Sequence, residues 1–431
     1  MTRSTAPGRS KSDRRGSTFV GLLDIGTSKV TAAILVYEPH AESNDGVYPG
    51  LRIAGLGMHR SRGVKAGVLT DLDEAETAVR GAISQAERAA GLTLDSVVVS
   101  VACGRLKSQH FAASAEIQGG MVLDEDIDRV MEAGRAFAER DGRTLIHLNR
   151  LGFRLDGVPG VADPLGLAAR HLAADLHAVT ADEAPLRNLL LLVERCYLSC
   201  AGLVASPYAS ALAVTTEEER ELGVTCIDFG AGTTSIALFA EGRFAGAEVV
   251  PVGSQHITFD IAKALQTPLA EAERIKTLYG TLISAQSDEH ESFSYPLAGE
   301  EDGATYQTTK ARLTEIIRPR VAQIMSLVRE RLEQNGASAY AGEKIVLTGG
   351  ASQLLGAAEF AARELGRPVR LRKPGSLPGL PLSVAGPHFA TLAGLAAAVA
   401  AGEGADSAYG RRAHSGQGYL GRVGSWLRAS F

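Results

Sequence analysis

Two short stretches of the chain combine the residue types of a phosphate site. Leu22-Leu-Asp-Ile-Gly-Thr-Ser-Lys29 and Cys226-Ile-Asp-Phe-Gly-Ala-Gly-Thr-Thr234 each read as an apolar strand, an Asp, a glycine-bearing turn, hydroxyl residues and a second apolar strand. Glycine lets backbone N–H groups approach a ligand closely. Gly26, Gly230 and Gly232, with the hydroxyls of Thr27, Ser28, Thr233 and Thr234, therefore make an anion cradle suited to phosphate. A carboxylate repels bare phosphate, but Asp24 and Asp228 at the strand ends can hold Mg²⁺ through its water shell, the usual arrangement for this hard cation. Lys29 neutralises one phosphate charge. Either hairpin alone also reads as an ordinary Asp-x-Gly tight turn, and the second copy shifts the balance.

A third element, Ile345-Val-Leu-Thr-Gly-Gly-Ala-Ser352, is a buried-type strand running into Gly349, Gly350 and Ala351. Such a turn lets backbone lie flat against a planar ring, and it serves equally as a plain strand-to-helix connection. In Ala270-Glu-Ala-Glu-Arg-Ile-Lys276, Glu273 and Lys276 are three apart and share a helix face. They either receive a ribose and adenine or form a solvated surface pair.

The elements that position these residues alternate along the chain. Strands are expected at Thr18 to Leu23, Thr31 to Tyr37, Val97 to Ala102, Gly223 to Ile227, Ser235 to Ala240 and Lys344 to Leu347. Helices are expected at Leu72 to Ala90, Asp124 to Ala138, Ala184 to Cys196 and Thr309 to Gln334. The class is α/β. The 204 positions between Asp24 and Asp228 suggest two related lobes with room for an inserted module. A length of 431 residues at about 150 per domain gives roughly three domains, and 45% apolar residues suffice for sizeable cores. The formal charge of −5 argues against wholesale nucleic-acid backbone binding. Cys103, Cys196, Cys200 and Cys226 are too few and scattered for a disulfide framework or a zinc site, which fits a reducing cytosol. No run of 18 apolar residues and no signal pattern occur, so export and membrane spanning are disfavoured.

The succession of first phosphate hairpin, connecting segment, second hairpin and Gly-Gly turn resembles the actin-like ATPase superfamily, and within it most closely the FtsA family of bacterial cell-division proteins. The resemblance runs from Phe19 to Ala400 and again over the last fifteen residues. It is carried by Asp24-Ile-Gly-Thr-Ser-Lys29, Ser61-Arg-Gly-Val-Lys65, Gly67-Val-Leu-Thr-Asp-Leu72, Glu217 to Gly223, Leu347-Thr-Gly-Gly-Ala-Ser-Gln353 and Val423-Gly-Ser-Trp-Leu-Arg428. It implies a two-lobed actin-like, ribonuclease-H-like fold with an inserted small α/β subdomain and a C-terminal amphipathic helix.

The implied organisation is a basic tail over 1–17, read as disordered from its composition, and a lobe-one core over 18–102 and 180–220. The insert occupies 103–179. The lobe-two core covers 221–253 and 335–401, with an outer subdomain over 254–334, a linker over 402–416 and the helix over 417–431. The implied ligands are ATP and Mg²⁺. Asp24, Gly26, Thr27, Ser28, Lys29, Asp228, Gly230, Gly232, Thr233 and Thr234 face the phosphates, and Glu273, Lys276, Gly349, Gly350 and Ala351 hold the nucleoside. Where actin and heat-shock chaperones place a Glu or Gln that orients the attacking water, Ala205-Ser-Pro-Tyr-Ala-Ser-Ala211 offers Ser206. Water-orienting or general-base help is worth about 10²- to 10⁴-fold, so hydrolysis is expected to be slow. Ala231 and Ser235 also depart from the family's usual Gly and Asp, which bears on fine phosphate geometry.

On a helical wheel at about 100° per residue, Tyr419, Leu420, Val423, Trp426, Leu427 and Phe431 fall within an arc of roughly 140°, with Arg422 and Arg428 outside opposite edges. Aromatic and aliphatic residues on one face with flanking arginines make an interfacial helix suited to an anionic membrane surface. A modest basic row, Lys310, Arg312, Arg318 and Arg320, is read through the resemblance as the site for the C-terminal tail of the tubulin-like protein FtsZ; a solvated helix face is the plainer alternative. The function expected is an actin-like scaffold that polymerises, anchors FtsZ filaments to the cytoplasmic face of the cell membrane at the division site and recruits later division proteins. Nucleotide sets its conformation, and no nucleic acid is involved. An actin-like pilus-assembly ATPase is the nearest rival, ahead of a small-molecule kinase or a chaperone of the same superfold.

Overall fold

The computed structural model describes residues 19–37, 48, 50–103, 105–299, 304–334, 342–381 and 384–402. Two five-stranded sheets share one topology. In the first, an antiparallel run of Leu51–Arg60, Lys29–Tyr37 and Phe19–Ile25 continues into the parallel strands Ser96–Val101 and Ser199–Ala205. In the second, Arg243–Val250, Thr234–Ala240 and Val224–Phe229 run antiparallel, and Ile345–Thr348 and Val369–Leu371 follow in parallel. The repeated order, third, second, first, fourth, fifth, makes the two lobes structural copies of one another.

Sequence explains how each lobe closes. Helix Leu72–Ala90 starts at Asp71, whose carboxylate accepts from the N–H groups of Asp73 and Glu74, and stops at Gly91 with φ 66°. Its alanine-rich face (Ala75, Ala78, Ala82, Ala86) lies directly on the strand Leu51–Arg60, where a Cβ at Gly55 or Gly57 would overlap the carbonyls of Ala86 and Ala82. Both hairpin strands extend past their aspartates, Asp24 pairing with Thr31 and Asp228 with Ser235. Ladder pairing here overrides the low strand propensity of Asp, so these strands end two residues later than the apolar pattern indicates.

Residues after 103 leave the first sheet and build a separate four-stranded antiparallel sheet, ordered Lys107–Glu116, His171–Asp182, Arg143–Leu155 and Val158–Val161. Helix Asp124–Ala138 covers one face, and Val122, Val130, Phe153, Leu172 and Leu176 form a core distinct from those of the lobes. Gly134 lets the helix approach Leu176 closely.

Two helices join the lobes. Ser206–Val214 and Ala390–Ala400 are apolar on nearly every side, as buried helices are, and Gly394 rests on the Ala209 carbonyl where no side chain fits. Helix Lys310–Gln334 packs Leu313, Ile317, Val321, Ile324 and Val328 into the core of lobe two. No helix among the described residues is long and apolar enough to cross a membrane. The basic tail over 1–17 and the helix expected over 417–431 lie outside the described residues.

Candidate functional site

The two hairpins meet head on. Gly26 N–H donates to the Lys29 carbonyl and Gly230 N–H to the Thr233 carbonyl, both at 3.0 Å, giving two matching turns. A Cβ at Gly230 would come 2.8 Å from the Thr233 carbonyl oxygen, and one at Gly232 would overlap Thr27 of the other lobe, so these positions admit only glycine without rearrangement. The second turn is also tied to a helix start: Ser254 N–H donates to Gly230 and Gln255 N–H to Ala231, at 3.0 and 2.8 Å.

Between the hairpins opens a cleft of about 870 Å³, within the range of small-ligand sites. Every residue expected at the nucleotide site lines it except Thr234. Thr234 is a correction. Strand alternation turns its side chain into the core, where its hydroxyl donates to the Val252 carbonyl at 2.8 Å, so it secures the turn instead of facing the cleft.

Asp24 and Asp228 stand at the base of the cleft. Burial pushes the Asp24 carboxyl above its ordinary value, opposed by the Ser100 hydroxyl, which donates to it at 2.7 Å, and by the charge of Lys29. Burial pushes Asp228 up to about 6; the Ser210 hydroxyl at 2.5 Å opposes this, and the nearby charge of Asp24 adds to it. Lys29 falls to about 8 through burial, partly offset by the two carboxylates. Its ammonium lies 3.4 Å over the Phe389 ring centroid and has no hydrogen-bond acceptor among the described residues. Two carboxylates and one ammonium leave an excess negative charge in a poorly solvated place. A divalent cation arriving with an anion satisfies all three groups, so these residues fit a Mg²⁺–phosphate ligand.

The opposite wall suits a nucleoside. Gly349, with φ 87° and ψ 163°, occupies backbone space open to glycine, and a Cβ there would lie 2.6 Å from the Phe229 carbonyl oxygen. Glu273 and Lys276 pair with each other, Glu273 exposed and Lys276 drawn beneath it. Lys276 is buried and donates to Glu273 Oε2 at 2.7 Å and to Thr258 Oγ1 at 2.8 Å; Thr258 in turn donates to the same Glu273 oxygen at 2.6 Å. Ser206 opens the connecting helix and faces the cleft as expected.

The family model for the FtsA cell-division protein matches residues 225–394, and that for the SHS2 domain inserted in FtsA matches 103–180. The chain is 41% identical over 428 residues to the cell division protein FtsA of Agrobacterium fabrum, covering 96% of this chain and 95% of that one. It belongs to the FtsA family. The FtsA of Escherichia coli is 31% identical over 429 residues, covering 95% and 97%. A solved PilM–PilN type IV pilus biogenesis complex shares the fold at a TM-score of 0.62 and 18% identity, covering 89% of this chain and 98% of that one.

Three hydroxyls that orient the carboxylates in this FtsA-family cleft, Ser100, Ser210 and Thr391, were not among the expected site residues. The available signal was a lone polar residue within an apolar element, as Thr391 is in Ala390–Ala400. The basic row is dispersed by its partners: Lys310 pairs with Glu291, Arg312 with Glu315, and Arg320 makes two bonds to Asp260. Arg318 instead donates to the Ser284 hydroxyl. The residues expected at a membrane, Tyr419, Leu420, Arg422, Val423, Trp426, Leu427, Arg428 and Phe431, lie outside the described residues.

Proposed function

We propose that the cleft binds ATP with Mg²⁺ and that this FtsA-family protein polymerises and anchors FtsZ filaments to the cytoplasmic face of the cell membrane at the division site, recruiting later division proteins there. The observation that carries the nucleotide reading is the buried Lys29 ammonium near two buried carboxylates, without a hydrogen-bond acceptor among the described residues and framed by two glycine turns. In this reading the N–H groups at Gly26, Gly230 and Gly232 and the hydroxyls of Thr27, Ser28 and Thr233 receive phosphate oxygens, with Lys29 balancing their charge. Asp24 and Asp228 hold the waters of Mg²⁺, which supplies charge neutralisation to the phosphates when bound. Glu273 and Lys276 take the ribose, and Gly349, Gly350 and Ala351 lie against adenine.

Ser206 is a short hydroxyl and a poor base for orienting water, so turnover is slow and nucleotide acts as a conformational and polymerisation ligand. The apolar arc of Tyr419 to Phe431 inserts into the anionic membrane surface. For the FtsZ tail, an acidic segment is received along Lys310, Arg312, Arg318 and Arg320, competing with the carboxylates already bound there. Sedimentation of the full chain with anionic liposomes and an FtsZ tail peptide, with and without ATP and Mg²⁺, tests the reading. Nucleotide-dependent co-sedimentation of filaments and peptide is expected. Unchanged sedimentation on adding nucleotide refutes it.

A further inference from the structure

The Asp228 carboxylate is gripped from behind by hydroxyls on two different helices. Ser210 Oγ, in Ser206–Val214, donates to Asp228 Oδ2 at 2.5 Å. Thr391 Oγ1, in Ala390–Ala400, lies 3.4 Å from the same oxygen and 2.9 Å from Ser210 Oγ. The single proton of Ser210 is committed to the carboxylate, so Thr391 is the donor in its contact with Ser210 and shares that proton with the same carboxylate oxygen, a three-centre arrangement that ends on a charged acceptor. The other oxygen, Oδ1, points to Gly349 on the cleft wall, where a methyl group would overlap it. One oxygen thus belongs to the helices and the other to the cleft.

These two helices carry the connection between lobes. Ser206–Val214 rests on the lobe-two strand Val224–Phe229, and Ala390–Ala400 on the lobe-one strands Phe19–Ile25 and Ser96–Val101. They cross where Gly394 meets the Ala209 carbonyl. A hydroxyl on an otherwise apolar buried helix is costly unless bonded, and each of these spends its bond on Asp228 or on its neighbour.

We propose that Ser210 and Thr391 are positioning residues for Asp228: together they fix the carboxylate rotamer that receives the Mg²⁺ waters, and both reach it only when the two helices are crossed as here. Mg²⁺-dependent nucleotide affinity then reports the state of the hinge. The inference rests on the reading of the cleft as an ATP–Mg²⁺ site.

The test titrates the full chain with ribose-labelled fluorescent ATP, in MgCl₂ and in excess EDTA. Ser210→Ala is expected to weaken binding about 10-fold in Mg²⁺, the scale of one hydrogen bond to a charged group, and to leave binding in EDTA unchanged. Thr391→Val is expected to weaken it about 3-fold in Mg²⁺ only, Thr391→Ser to restore it, and the double variant to be no worse than Ser210→Ala. Equal losses with and without Mg²⁺, or no loss, overturn the assignment. Should Ser210→Ala not fold, the contrast between valine and serine at 391 still decides. Wild-type protein that binds no labelled ATP in Mg²⁺ overturns the reading of the cleft, and this inference with it.

Discussion

Lys29 shows how one side chain ties both lobes to one ligand. It lies on the first hairpin, rests against Phe389 at the start of the last described helix and is stabilised as a cation by carboxylates from both lobes. Replacing Lys29 with Met keeps the apolar stem on Phe389 and removes only the charge. ATP affinity measured by calorimetry should fall about 10- to 100-fold, since a hydrogen bond to a charged group contributes about 1.5–3 kcal/mol. Unchanged affinity would remove Lys29 from the site. This residue was legible beforehand because the hairpin fixes its offset from Asp24 and Gly26. Ser100, Ser210 and Thr391 were not, since their partners lie 76, 18 and 163 positions away and only the fold brings them together. Thr234 was misplaced for a related reason: the hydroxyl pair at 233 and 234 reads as one motif, whereas strand alternation points consecutive side chains to opposite faces.

Among the elements, the two crossing helices offer the sharpest contrast between what composition shows and what it hides. Uniform apolarity marks Ala390–Ala400 as buried, but nothing in it reveals that Gly394 is the point of contact with Ala209. Gly394→Ala places a methyl group on a carbonyl oxygen in a packed interface, and such overpacking costs about 1–3 kcal/mol. We expect a lower thermal midpoint and weaker ATP binding from the same variant, because the crossing also presents Ser210 and Thr391 to Asp228. A destabilised variant with unaltered affinity would separate the crossing from the site. The helix expected over 417–431 has a different energetic balance. In the proposed membrane reading its six apolar side chains would contribute at most about 9–18 kcal/mol, against about 1–2 kcal/mol per ordered residue, so a single helix would be marginal and attachment would depend on many copies along a polymer. Removing 417–431 should therefore abolish pelleting with anionic liposomes while leaving ATP affinity intact. Persistent pelleting would place the membrane contact elsewhere.

At the scale of the whole molecule, the inserted subdomain is wired to both lobes through buried histidines. His147, on Arg143–Leu155, accepts the Ala205 N–H through Nε2 at 2.9 Å, and Ala205 caps the connecting helix Ser206–Val214. His177, on His171–Asp182, contacts Ser108 Oγ at 2.6 Å; the same oxygen accepts the Ala247 N–H from the edge strand of the lobe-two sheet. Asn149, His110, Tyr208 and Phe244 complete the surroundings, and His110 is likewise held below its ordinary value by burial. Burial lowers His147 to about 4 and His177 to about 3, from an ordinary 6.5. Since the folded values are depressed, the unfolded chain binds more protons below pH 6.5. Stability from these groups is then complete above pH 6.5 and lost as the pH falls toward 4 and 3. At 1.36 kcal/mol per unit, each histidine costs about 2–3 kcal/mol by pH 4.5. Protonated His147 also cannot accept from Ala205, so the loss should begin where the subdomain meets the hinge. Hydrogen exchange between pH 7.5 and 4.5 should show protection falling first at Ala205 and Ala247, before the central strands of either lobe. The His147→Gln/His177→Gln double variant keeps polar partners without a titrating ring, so its protection there should be lower at pH 7.5 and nearly flat across the range. If the double variant tracks the wild type as the pH falls, carboxylates elsewhere govern acid stability and the histidine junction does not couple the subdomain to the hinge.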